Sequence, residues 1–62
     1  MPATVDQNMD SIRADLTLAF VCVTDSRALV ADGRPLAEVR AKVYGAIDAL
    51  NRVLDDLRVI EE

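Results

Sequence analysis

"LTLAFVCV", residues 16–23, decides how this chain folds: it places seven apolar residues and one threonine in the middle of an acidic 62-residue sequence. A half-buried strand alternates apolar and polar positions, and a surface helix is polar on one side. This stretch does neither. Val, Phe, Cys and Thr suit a strand, and eight residues is an ordinary strand length. A continuous apolar strand, however, needs cover on both faces and partners at its edges. The other strand-like stretch, "ALVA" at 28–31, is too short to supply them. Upstream "MDSIRADL", 9–16, shares one helical period with the residues that follow, so the segment reads as helix.

Size limits what this helix can rest on. A chain this short buries only about 60% of the surface its unfolded form exposes. Below about 70–80 residues a single core seldom suffices without a staple. With one cysteine, Cys22, and no histidine, an intramolecular disulfide and a Cys/His zinc site are excluded. The staples that remain are oligomerisation and very good helix packing, of which oligomerisation is favoured. A net charge of −4 argues against broad nucleic-acid binding, which needs a basic surface. The longest apolar run, 18–23, is far below the ~20 residues of a membrane span, so no membrane partner is expected. The first residues lack a basic region and a small-residue cleavage site, and together with the lone thiol they lead to an expected cytoplasmic location.

"ADGRPL", 31–36, divides the chain. Asp32 is a candidate N-cap, Gly33 permits positive φ, and Pro35 suits a first helical turn while biasing Arg34 away from α geometry. The expected organisation is one domain over 1–62, with a first helix over about 6–30, a turn at 31–34 and a second helix over about 35–61. Residues 1–4 are expected to fray. In the second helix Leu36, Val39, Val43, Ala46, Leu50, Val53, Leu57 and Ile60 form a stripe, widened by Ile47 and Leu54. Opposite it, Ala37, Ala41, Gly45 and Ala49 form a row of small residues that either faces water or makes a second, close helix contact.

In the first helix Val5, Met9, Ile12, Leu16, Ala19, Val23 and Val30 form the stripe expected against the second helix, with Phe20 beside it. Leu18, Cys22 and Leu29 lie roughly opposite, with Asp25 in their row. One partner helix covers one face only, so Leu18, Cys22, Leu29 and Phe20 are the residues expected at an interface between copies. The expected fold class is all-α: a two-helix antiparallel hairpin assembling into an oligomeric helical bundle, with a four-helix dimer the simplest form.

Little in the chain points to catalysis. Without histidine there is no imidazole base and no Ser-His or Cys-His pair. Cys22 lies among apolar neighbours and reads as structural. Asp55, Asp56, Glu61 and Glu62 read as a solvated acidic tail rather than a Mg²⁺ site. No enzyme, cofactor or metal is expected. The basic residues suggest binding instead. Arg34 precedes a helix N-terminus, where free N–H groups favour an anion that a guanidinium can grip bidentately. Arg40 and Tyr44 are i, i+4 neighbours able to offer a platform to a purine ring, and Lys42 lies on the stripe's other margin. Each also has an ordinary reading, as an interface-edge residue or a partner for nearby acids.

From the turn onward the chain reads "DGRPLAEVRAKVYGAIDAL", 32–50. Over 32–46 it resembles the helical family of small phage proteins that sequester cyclic oligonucleotide signals of bacterial immunity, the anti-CBASS and anti-Thoeris sponges. Asp32, Gly33, Arg34, Ala37, Val39, Lys42, Val43 and Ala46 carry the likeness. The acidic pair usual after the lysine is replaced by Tyr44-Gly45, and the family's tryptophan is absent. The resemblance implies an all-helical homo-oligomer, commonly a hexamer, that encloses a cyclic di- or trinucleotide between subunits without hydrolysing it. Arg34, Arg40, Lys42 and Tyr44 are then the ligand-binding candidates. The alternatives are an adaptor or regulatory hairpin dimer acting through protein or RNA contacts, and a phage inhibitor of a host enzyme.

Overall fold

The computed structural model describes the backbone of residues 2–61 and the side chains of residues 7–61. It contains two helices, α1 (Pro2–Ala31) and α2 (Leu36–Glu61), and no strand among the described residues. The helix reading of 16–23 is therefore the correct one. α1 begins at Pro2 rather than near residue 6, and 2–4 are helical rather than frayed. Proline suits a first helical position because its missing N–H would have no partner there. Val5, expected on the intrachain stripe, and Glu62, expected in the acidic tail, have side chains outside the described residues.

The turn is a C-cap for α1. The Arg34 amide donates to the Leu29 carbonyl (3.0 Å) and the Gly33 amide to the Val30 carbonyl (3.1 Å). Gly33 sits at φ 69°, the left-handed conformation this capping pattern requires. Asp32, expected to cap the second helix, instead closes the first, its amide bonding to the Ala28 carbonyl at 2.9 Å. The Pro35 carbonyl accepts from the amides of Glu38 (3.0 Å) and Val39 (3.4 Å), which starts α2 at Leu36.

The helices run antiparallel. Asp15 meets Arg52, Cys22 meets Gly45 and Asp25 meets Lys42, so each step forward on α1 is matched by an equal step back on α2. The resulting rod measures 48 × 14 × 11 Å, with a radius of gyration of 14.4 Å. A compact domain of this length has a radius of about 11 Å.

The seam between the helices differs from the one the large apolar residues suggest. Its buried side chains are Ile12, Ala19 and Cys22 from α1, and Ala46, Ala49 and Val53 from α2. Half-buried Asn8, Asp15, Ser26 and Leu29 continue the same α1 row in steps of three and four. Met9, Leu16, Val23 and Val30, expected to face α2, are exposed, as are Leu36, Val43, Leu50 and Leu57 of the α2 stripe. Val39 and Ile60 of that stripe are half-buried. The close-contact reading of the small-residue row holds for two of its members: Ala49 is 0% exposed and Gly45 half-buried, whereas Ala37 and Ala41 face water. A Cβ built on Gly45 would lie 3.2 Å from the Cys22 Sγ. Small residues let the two backbones approach closely, and bulky ones at the same positions would hold them apart.

Two substitutions test this geometry by thermal unfolding. Gly33→Ala forces a Cβ into left-handed backbone and should cost about 1–2 kcal/mol. Gly45→Leu should cost about 1–3 kcal/mol by overpacking. Adding Cys22→Ala should recover part of the Gly45→Leu loss and none of the Gly33→Ala loss.

Candidate functional site

The turn end of the hairpin carries two grooves, one on each side. The first is an open depression of about 560 Å³ lined by Leu29, Asp32, Arg34, Glu38, Ala41 and Lys42. Capping places Arg34 at its rim, and one helical turn separates Glu38 from Lys42 on the same side of α2. Arg34 grips Glu38 with both faces of its fork, Nε donating to Oε2 at 2.8 Å and Nη2 to Oε1 at 2.9 Å. The hydrogen bonds with Arg34 hold the Glu38 carboxyl below the ordinary carboxylate range, and those with Glu38 raise the guanidinium's pKa. Lys42 Nζ lies 3.3 Å from Asp25 Oδ2 across the helix pair. Both pairs are solvent-exposed on one or both partners and thus screened.

Of the four residues expected to bind a ligand, the fold brings Arg34 and Lys42 together and leaves two elsewhere. Arg40 and Tyr44 are exposed and do not line this groove. Each is two residues from Lys42, hence on nearly the opposite side of α2. The four do not form one cluster within a single chain.

The residues expected at the interface between copies also divide. Cys22 is buried against its own chain's α2 and is a free thiol, and its carbonyl accepts from Ser26 Oγ at 2.8 Å. Leu29 is half-buried at the hairpin's own groove. Within the single chain Cys22 therefore belongs to the seam, which is rotated toward the small residues of α2, and Leu29 lies at its margin. Leu18 and Phe20 are exposed, Phe20 the more so at 72%.

The second groove, about 470 Å³, is lined by Ser26, Arg27, Val30, Ala31, Val39 and Val43. It opens a much longer apolar surface. From Val30 a heptad row runs back through Val23, Leu16 and Met9 on α1, all exposed. From Val43 a second row runs through Leu50 and Leu57 on α2, with Ile47 and Leu54 beside it, all exposed. Heptad spacing keeps each row on one side of its helix, so both rows lie on the side of the hairpin marked by this groove. Sequence reading found every one of these residues but assigned them to the contact within the chain. The signal that separates the two uses is residue size: the seam rows alternate with alanine, serine, aspartate and Cys22, whereas these rows are uniformly large.

Among the described residues no three of His, Cys, Asp and Glu are gathered as a metal site, and no helix is long and apolar enough to cross a membrane. Compared with protein-family models, curated proteins and solved structures, the chain matches none at a significant level.

The Arg34–Glu38 pair has a pH signature. A carboxylate whose pKa is depressed in the fold contributes stability above its unfolded pKa, and that contribution disappears as pH falls through the folded value. In a carbon-detected NMR titration Glu38 should therefore titrate below the ordinary glutamate range. Arg34→Gln should return it to the ordinary range, and raising the salt concentration should narrow the gap.

Proposed function

We infer that this chain is a non-enzymatic binding protein whose working surface is the apolar side of the hairpin. The observation that carries this reading is the pair of adjacent heptad rows, Met9 to Val30 and Val43 to Leu57, left uncovered along the rod. Isolated exposed apolar residues are ordinary on protein surfaces, but a contiguous apolar face across two helices marks a docking surface. Its form suits another amphipathic helix or helix pair, read at positions three and four residues apart. This agrees with the oligomer, adaptor and inhibitor readings of the sequence alike, because each acts through helix-on-helix contact.

One observation favours a second, narrower reading, that of a phage anti-defence sponge for cyclic nucleotides. The groove at the turn places Arg34 and Lys42, both within the 32–46 stretch that carries the family resemblance, together over Ala41 and, from α1, Leu29. Two cations above an apolar floor are a usable seat for a phosphate and a base. Each cation is already partnered by a carboxylate, so a phosphate would have to displace Glu38 or Asp25. Both displacements are mild, since screened surface pairs contribute little.

The two readings separate in solution. A hydrophobic dye or an amphipathic helical peptide should bind the apolar face, and Ile47→Lys should weaken that binding at least ~10-fold; equal binding by the variant would sink the first reading. Native mass spectrometry with cyclic di- and trinucleotides tests the second. Arg34→Ala and Lys42→Ala should each weaken binding by roughly 10-fold or more, the loss of a charge-assisted contact. Arg40→Ala and Tyr44→Phe report whether the outward pair contributes. If no cyclic nucleotide binds the unaltered chain, the sponge reading fails and the docking reading stands.

A further inference from the structure

We propose that the occupant of the apolar face is a second copy of this chain, laid face to face to form a four-helix bundle with two-fold symmetry. The inference rests on the reading of that face as a docking surface and names its partner.

Three observations select a copy of the same chain. The first is the poverty of the hairpin's own core. Among the described residues six side chains are buried, three of them alanine, and no leucine is among them. Ordering a residue costs on the order of 1–2 kcal/mol, and so few small side chains cannot offset that over two long helices. The missing core has to come from outside, and the large residues that would build it are those of the exposed rows.

The second observation is area. The chain exposes 4734 Å². A compact monomer of 6.8 kDa exposes about 4000 Å². The surplus, on the order of 700–800 Å², is close to the ~800 Å² that each partner contributes to an interface of standard size. One copy of the same rod therefore covers what the elongated shape leaves open.

The third is that both helices contribute large side chains to the face over the same central stretch. Leu16, Phe20 and Val23 of α1 and Ile47, Leu50 and Leu54 of α2 flank the same central stretch. An isologous contact requires such a self-matching patch, because each residue must meet its counterpart's partner after a two-fold rotation. Two layers of two helices is the arrangement in which both rows become buried at once. Leu18 and Val21 project from the other flank of α1, beyond the seam, and are outside this contact.

Sedimentation equilibrium of the full chain across a wide concentration range tests the proposal. The expected mass is twice that of the chain, with helicity and melting temperature rising with concentration as mass action requires. Leu50→Asp should weaken association on the order of 100-fold or more by burying an unpaired charge, whereas Leu18→Asp should leave it intact. If Leu50→Asp unfolds the chain, the concentration dependence of the unaltered protein decides by itself. A helical monomer at every concentration overturns the proposal, as does an assembly that survives Leu50→Asp and is split by Leu18→Asp. Dye binding separates the two levels of failure: a helical monomer that binds the dye retires only the second copy, and one that does not retires the docking face as well.

Discussion

The close approach of the two helices where Gly45 faces the Cys22 sulfur governs the rest of this structure. A glycine, three alanines and a cysteine along the seam set an interhelical spacing that leucines would prevent. Once the small residues take the seam, α1 and α2 are both rotated, and their large aliphatic rows turn outward. The core that results is thin, and the exposed face is correspondingly rich. Both features follow from a single choice of which side of α2 meets α1. The polar members of the seam fit the same choice. Asp15 with Arg52 and Asp25 with Lys42 place charge where a pair of long side chains can bridge the helices and still reach water. Such bridges fix register more than they stabilise, because exposed pairs are screened. Register matters here, since a seam of alanines offers few bulky residues to lock it.

The turn shows how local chemistry positions a candidate site. Gly33 in left-handed geometry lets the turn satisfy the last carbonyls of α1, and a two-residue link then leads to Leu36 at the start of α2. Arg34 is carried to the start of α2 by that geometry, one turn before Glu38, and the bidentate pair follows. A negative side chain in the first turn of α2 is favoured by the helix dipole, so Glu38 has two reasons to stay where it is. Any anion that enters the groove competes with a carboxylate already well placed. The turn therefore accommodates a phosphate less readily than its basic residues alone suggest.

Much of the fold was legible in the sequence. Two helices, their antiparallel order and a turn expected at 31–34 and found at 32–35 follow from period and from Gly33 and Pro35 together. The seam was not. Period identifies which residues share a stripe, but it is blind to whether a stripe meets its own chain or another. Leu16, Val23, Val43 and Leu50 make a better-looking stripe than Cys22, Gly45 and Ala49, and hydrophobicity alone ranks them first. Side-chain volume was the discriminating quantity. The same limit applies to the candidate site. Arg34 and Lys42 could be joined because the turn geometry fixes one and a helical step the other. Arg40 and Tyr44 fall away because two residues along a helix are half a turn apart. Asp32 was misassigned because an N-cap type of residue beside a turn does not show which helix it belongs to: its amide completes the last turn of α1, and the carbonyl that opens α2 is that of Pro35.

The proposed bundle also constrains the sponge reading. In a dimer formed through the two aliphatic rows, the groove of Arg34 and Lys42 lies on the far side of each hairpin, open to solvent. Two equivalent grooves would then face away from the dimer core, one at each turn. A ligand held there is bound at a surface, and enclosing it requires a further contact through the polar flank of the hairpin. Leu18 and Val21, exposed on that same flank, are the apolar residues available for it. An assembly that enclosed a cyclic nucleotide would thus need two different interfaces, an apolar one that completes the fold and a mixed one that closes the groove. In such an assembly the stretch 16–23 would serve both: Leu16, Phe20 and Val23 the first, Leu18 and Val21 the second, with Ala19 and Cys22 between them in the seam. An unbroken apolar run is what a helix with neighbours on three sides would need.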